Sequence, residues 1–174
     1  MRFLNLSFLT LLLTSAIYGQ SNGEDFSHAV LRILNERRAA RSLPPIPFSS
    51  KLTKVAEVHA QNQDAAKASL THDWHGEYAC SMSDGYCMWN KPKEIAGYGD
   101  LGFECGYNGP TDDPKSLVDS WEGSPLHAQV LFNEGPWNQG WEAAGAGKSG
   151  SYGFMWFGHT RDESPSGAPE AINP

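Results

Sequence analysis

The chain has 174 residues, 40% of them hydrophobic, and a formal charge of −7. Its length is enough for one domain with a real core. Its acidity argues against nucleic acid or anionic lipid as a partner, since phosphates need a basic patch and the one basic cluster is Arg37, Arg38 and Arg41.

Arg2 followed by the apolar run Phe3 to Leu13, then Ala16-Ile17-Tyr18-Gly19 and the polar Gln20-Ser21-Asn22, has the order of a cleavable export signal. Residues 1–19 are therefore read as a signal peptide, cut after Gly19, and the protein as secreted. A membrane anchor fits less well. Asn5, Ser7, Thr10, Thr14 and Ser15 interrupt a stretch already short of the roughly 20 apolar residues that span a bilayer. No other segment is apolar enough to cross, so no membrane span is expected.

Phe26, Val30, Ile33 and Leu34 recur at helical spacing, which predicts a helix over 25–42, with Asp25 or Ser27 as its cap. The three arginines fall on it and read as a solvated face or local ion pairs. Pro44, Pro45 and Pro47 end it and impose an extended stretch. A second helix is predicted over 50–68, with Leu52, Val55, Ala56 and His59 on one face and Ser49 or Ser50 as N-cap. From Thr71 to Pro114 no period persists. An irregular stretch of that length is uncommon unless it builds a site or is pinned covalently.

Three cysteines, an odd number, stand at 80, 87 and 105. In an oxidising compartment two should pair. Cys80–Cys87 is favoured, because the loop between them holds Ser81, Ser83, Asp84 and Gly85 and can turn back. Cys87–Cys105 stays open as a rival. The leftover Cys105 is expected to be buried rather than to link two chains, so a monomer is expected.

Asp113-Pro114 predicts a helix start carrying Leu117, Val118 and Trp121, and Ser124-Pro125 starts another with His127, Val130 and Leu131. Glu142 to Gly147 and Tyr152 to Phe157 read as strands joined by Lys148-Ser149-Gly150-Ser151. The small residues Ala143 to Gly147 predict a helix packed closely on the first strand. The proline-bearing tail 164–174 is expected to be loose. Helices, an irregular middle and a terminal hairpin argue for an α+β fold.

Of the six histidines, His28 and His159 have no evident partner in the sequence, and His59 reads as a packed core residue. His72 and His75 form an H-x-x-H, which alone is weak evidence for metal.

Several segments in order resemble one family: Val30 to Arg38, Leu43-Pro44-Pro45-Ile46, Leu52 to Ala60, Leu70-Thr71-His72-Asp73, Gly102-Phe103-Glu104, Val118 to Trp121 with Ser124-Pro125-Leu126-His127, and the stretch Ala144 to Gly147 with Phe154 to Gly158. Together they resemble the CAP superfamily of cysteine-rich secretory proteins, antigen 5 and pathogenesis-related proteins (the SCP-like extracellular domain), in its bacterial-type form. The resemblance implies a three-layer α-β-α sandwich with a small, mainly antiparallel sheet, filling residues 20–163. It also implies a cleft formed by His72, Glu104 and His127. The family's second glutamate is missing, with Ser124 in its place. Glu122, about 200° round the helix from that position, is no replacement.

Two imidazoles and a carboxylate can hold zinc or another divalent metal, with His72 and His127 as ligands, or form a hydrogen-bonded network without one. The leading reading is a non-enzymatic secreted domain that binds an extracellular protein or a small-molecule or lipid ligand. The alternative is a metal-assisted extracellular hydrolase with Glu104 as base. A Cys105 thiol nucleophile paired with His72 or His127 reads as less favoured than a structural cysteine. The tryptophans at 74, 89, 137, 141 and 156 could line a groove, but core packing is the commoner use.

Overall fold

The computed structural model describes residues 24–67 and 69–163. The expected export signal and loose tail lie outside the described residues.

The first helix, α1 (Phe26–Ala39), starts where Asp25 accepts a hydrogen bond from the backbone N–H of His28. It ends before the prolines, and the chain then runs extended along it. Asn35 fastens that run by bonding both the N–H and the C=O of Ile46. The arginine cluster divides. Arg37 and Arg41 make ion pairs with Asp119 and Glu122. Arg38 is instead buried, 1% exposed, and donates to the carbonyls of Pro44 and Leu131 and to Asn133 Oδ1. It is an internal fastener rather than a solvated charge, because three acceptors replace its water.

Helix α2 (Ser50–Ala66) is capped by Ser49, whose hydroxyl accepts from the Leu52 N–H. It stops two residues short of the predicted end, at Lys67 in the left-handed conformation (φ 51°). Leu52, Val55, Ala56 and Ala60 are fully buried under it, and burial of each Leu or Val is worth roughly 1.5–3 kcal/mol.

The stretch from Thr71 to Pro114 is more regular than its sequence suggests. It carries α3 (Gly85–Trp89), α4 (Lys91–Ala96) and strand β1 (Gly102–Asn108). Cys80 and Cys87 are joined, and Cys105 is free and buried. Helices α5 (Pro114–Glu122) and α6 (Pro125–Phe132) follow, then β2 (Ala143–Ser149) and β3 (Tyr152–Gly158).

The sheet is antiparallel with order β1-β3-β2, and residues 104, 156 and 145 lie side by side. Side chains alternate across it. Phe154 and Trp156 face α2 together with Ala143, whereas Met155, Phe157, Cys105, Ala144 and Ala146 face α1, α5 and α6. The result is an α+β fold of three layers. The small residues of β2 serve the purpose their sequence implies: a Cβ on Gly145 would lie 2.3 Å from the Thr53 nitrogen, and one on Gly147 2.3 Å from that of Glu57. The outer edge of β2 is covered by the run into α2, where Ala144 N–H donates to Pro47 and Ser49 N–H donates to Ala144. Asp162, beyond β3, returns to the start of α2 and accepts from the Ser49 hydroxyl and the Lys51 N–H.

Candidate functional site

Strand alternation turns Glu104 toward α2, beneath the loop that follows that helix. Its carboxylate is 1% exposed and divides between two histidines. Oε2 lies 2.7 Å from His59 Nδ1, and Oε1 lies 2.6 Å from His72 Nδ1. His59 is packed between the rings of Trp74 and Phe154, each centroid 4.0 Å away. Its Nε2 meets the carbonyl of Asp73, which also accepts from Gln63. Both ring nitrogens of His59 thus face oxygen atoms.

Burial alone pushes the Glu104 carboxyl up. The charge of His59 and the hydrogen bonds from His59 and His72 outweigh it and hold the group below its ordinary value. The bond to Glu104 raises the pKa of His72 against the opposing effect of its partial burial. His127 is held below its ordinary value, by burial first and by the nearby charge of His72 second.

His72 comes from the loop after α2, on one side of the sheet, and His127 from the first turn of α6, on the other. They line one pocket of about 160 Å³ with Leu70, Thr71 and Gly106. This is possible because β1 is an edge strand and Gly106 has no side chain. A Cβ there would lie 3.0 Å from the Phe154 ring and 3.3 Å from Leu70. The Gly106 carbonyl accepts from the indole of Trp121, which ties the strand to α5.

A sequence match to the family described as "CAP: Cysteine-rich secretory protein family" spans residues 31–136. The chain belongs to this family. Among solved structures, the CAP fold recurs in an extracellular protein containing a SCP domain from Bacillus anthracis strain Ames. That protein is 17% identical with a TM-score of 0.62, and the match covers 78% of this chain and 40% of that one. An outer surface protein from Borrelia burgdorferi is 17% identical with a TM-score of 0.58, covering 76% of this chain and 90% of that one. A cysteine-rich secretory protein from Staphylococcus aureus subsp. aureus Mu50 is 18% identical with a TM-score of 0.51, covering 76% and 37%. At such identities the likeness is one of fold. The chain spans 40% of the first of these proteins and 37% of the third. No curated protein matches the sequence.

Within this CAP domain, His72, Glu104 and His127 are brought to one region, but not as a set of three open ligands. Glu104 spends both oxygens on histidines. Among the described residues no three His, Cys, Asp or Glu side chains are placed to hold one ion. His75 stands apart, its backbone clamped on both sides by Asn62. Glu122 bonds Arg41 and takes no part. Cys105 follows Glu104 but points through the sheet into the opposite core. Burial pushes its thiol well above the ordinary value, and the Glu104 charge adds to this. A thiolate nucleophile facing the histidines is thereby excluded.

The residue of this cluster that sequence reasoning did not place in it is His59. It is buried as expected, but as a partner of Glu104 rather than as inert packing. One signal was available: Gln63 lies one turn further along the same buried face, and two polar side chains on an apolar stripe each require a partner.

Proposed function

We propose that this CAP domain acts outside the cell as a non-enzymatic binding module, with the cleft between His72 and His127 receiving part of an extracellular protein or of a small, lipid-like ligand. The observation that carries this reading is the occupation of Glu104. A general base must come within reach of the proton it takes, and this carboxylate is 1% exposed with each oxygen bonded to a histidine inside the protein. The family's second glutamate, replaced by Ser124, offers no substitute. The hydrolase reading therefore has less support. A pocket of about 160 Å³ is below the roughly 300 Å³ of a drug-sized ligand site, so it suits one group of a larger ligand. Among the described residues no helix is long and apolar enough to cross a membrane.

Zinc or another divalent ion fits the cleft only as a two-histidine guest. The Glu104 bond to His72 Nδ1 orients that ring as a carboxylate orients a metal-binding histidine, leaving Nε2 as a donor beside His127. Water or the ligand would supply the other positions. Titration calorimetry with zinc chloride tests this, comparing the unmodified protein with the His72→Ala/His127→Ala double variant. Weak binding lost in the double variant supports a guest ion; no heat at millimolar zinc removes it. Screening extracellular esterase, peptidase and glycosidase substrates tests the non-enzymatic reading. Turnover abolished by Glu104→Gln in a folded protein would overturn it.

A further inference from the structure

The floor of the histidine cleft is main chain, and the sheet fixes where its polar groups point. In an antiparallel sheet, successive residues of a strand turn their N–H and C=O to opposite sides. On β2, Ala144 turns to the outer rim, where it bonds Pro47 and Ser49. Its partner on β3, Phe157, therefore turns to β1, where it stands opposite Phe103. Along β1, the residues that face β3 are then Phe103, Cys105 and Tyr107, and Gly109 continues the series by donating to Ser151. Gly106 turns both of its main-chain groups the other way, to the free edge, where it lines the pocket with His72 and His127. Its carbonyl accepts from the Trp121 indole. Its N–H has no acceptor among the described residues, although the residue is buried. Buried amides seldom go unpaired, so this one marks a place for an incoming oxygen.

Resting on the reading of this cleft as a binding site, we propose that it grips a main-chain amide of a protein partner, with the amide oxygen on the Gly106 N–H. Three observations favour a neutral peptide group. First, the lining offers no lysine, no arginine and no free carboxylate. The other walls are Leu70, Thr71, His72 and His127, and Glu104 has both oxygens bonded. An ionised ligand group finds no permanently charged partner there, and the net charge of −7 repels carboxylates and phosphates. Second, the walls both give and accept hydrogen bonds. The Gly106 N–H is a fixed donor. The Thr71 hydroxyl accepts from the Asp73 N–H and keeps its own hydrogen to give. A neutral imidazole adds one donor and one acceptor, and an amide carries the complementary pair. Third, each lip bears an exposed leucine. Leu70, two residues before His72, is 39% exposed, and Leu126, one residue before His127, is 74% exposed. A peptide laid across the opening covers both with apolar side chains while its backbone enters. Main-chain bonding at a sheet edge then supplies affinity and the flanking side chains specificity. With a volume of about 160 Å³ the pocket admits one such group and not a whole strand.

The test is NMR of the isotopically labelled protein, following the Gly106 amide and the ring signals of His72 and His127. Acetyl-leucine N-methylamide, a capped residue with an amide on each side, is titrated to tens of millimolar, and sodium acetate and octanol are titrated separately. The capped leucine should move the Gly106 amide proton downfield in a saturable manner, and acetate and octanol should not. Leu126→Ala should weaken binding about threefold while Gly106 still moves in the same direction. The His72→Ala/His127→Ala variant should weaken it further. An unmoved Gly106 amide overturns the proposal. An equal shift with acetate overturns it too, since the cleft would then be a carboxylate site. If octanol shifts the two histidines and the capped leucine does not, the peptide is overturned and the cleft still stands as a ligand site. If no probe moves either histidine, both readings fall.

Discussion

Replacing Glu104 by glutamine keeps the shape of the side chain and removes its charge. The carboxylate receives hydrogen bonds from His59 and His72 at 2.7 and 2.6 Å, with His59 fully buried. Bonds to a charged group are worth about 1.5–3 kcal/mol and neutral ones about 1. The substitution should therefore cost about 1–3 kcal/mol near pH 5.5, several degrees of Tm for a domain of this size. The loss should depend on pH in a definite way. Glu104 has a lowered folded pKa, so its contribution is present above its ordinary value of 4.5 and fades as pH falls through the lower folded value. His72 has a raised folded pKa, so its contribution is complete below 6.5 and fades as pH rises through the higher folded value. The two windows overlap between about pH 4.5 and 6.5, where the difference between Glu104 and glutamine should be largest. Urea unfolding followed by tryptophan fluorescence at pH 3, 5.5 and 8 measures it. A difference that is flat across these values, or greatest at pH 3, would refute the charged network.

Other substitutions probe the frame that holds the site. Gly147→Ala should destabilise by about 1–3 kcal/mol, measured by urea unfolding, because the new carbon meets the backbone of α2 rather than a side chain that can yield. Asp162→Ala should cost about 1–2 kcal/mol in the same assay, since it strips acceptors from the Ser49 hydroxyl and the Lys51 N–H at the start of α2. Cys105 should not react with a thiol reagent in the native protein and should react once in denaturant, as a fully buried thiol with a raised pKa requires.

The parts legible in the sequence are those whose signals are local. The face Leu52, Val55 and Ala56, the Ser49 cap and the prolines at 114 and 125 each report on residues within a turn of themselves. The small residues of β2 announce a close neighbour, although not which helix it is. Strand β1 does alternate, with Phe103, Cys105 and Tyr107 on one face, but the other face carries the glycines 102 and 106 and the charged Glu104, residues that strands disfavour, so the signal is weak. The role of His59 is hidden for a related reason: its partner lies 45 residues away on that same strand. The resemblance to the CAP family pointed to His72, Glu104 and His127. It carried no information on how Glu104 divides its oxygens, which depends on the third histidine.

A three-stranded sheet has two outer rims where unpaired amides and carbonyls can recruit a strand from another molecule. Here each rim carries contacts from within the chain. The residues leading into α2 take the amide and carbonyl of Ala144, and the indole of Trp121 takes the carbonyl of Gly106. So small a sheet thereby presents fewer free groups to another molecule. Trp121→Phe is the smallest change that would reopen one rim, leaving an acceptor free for a foreign chain to find.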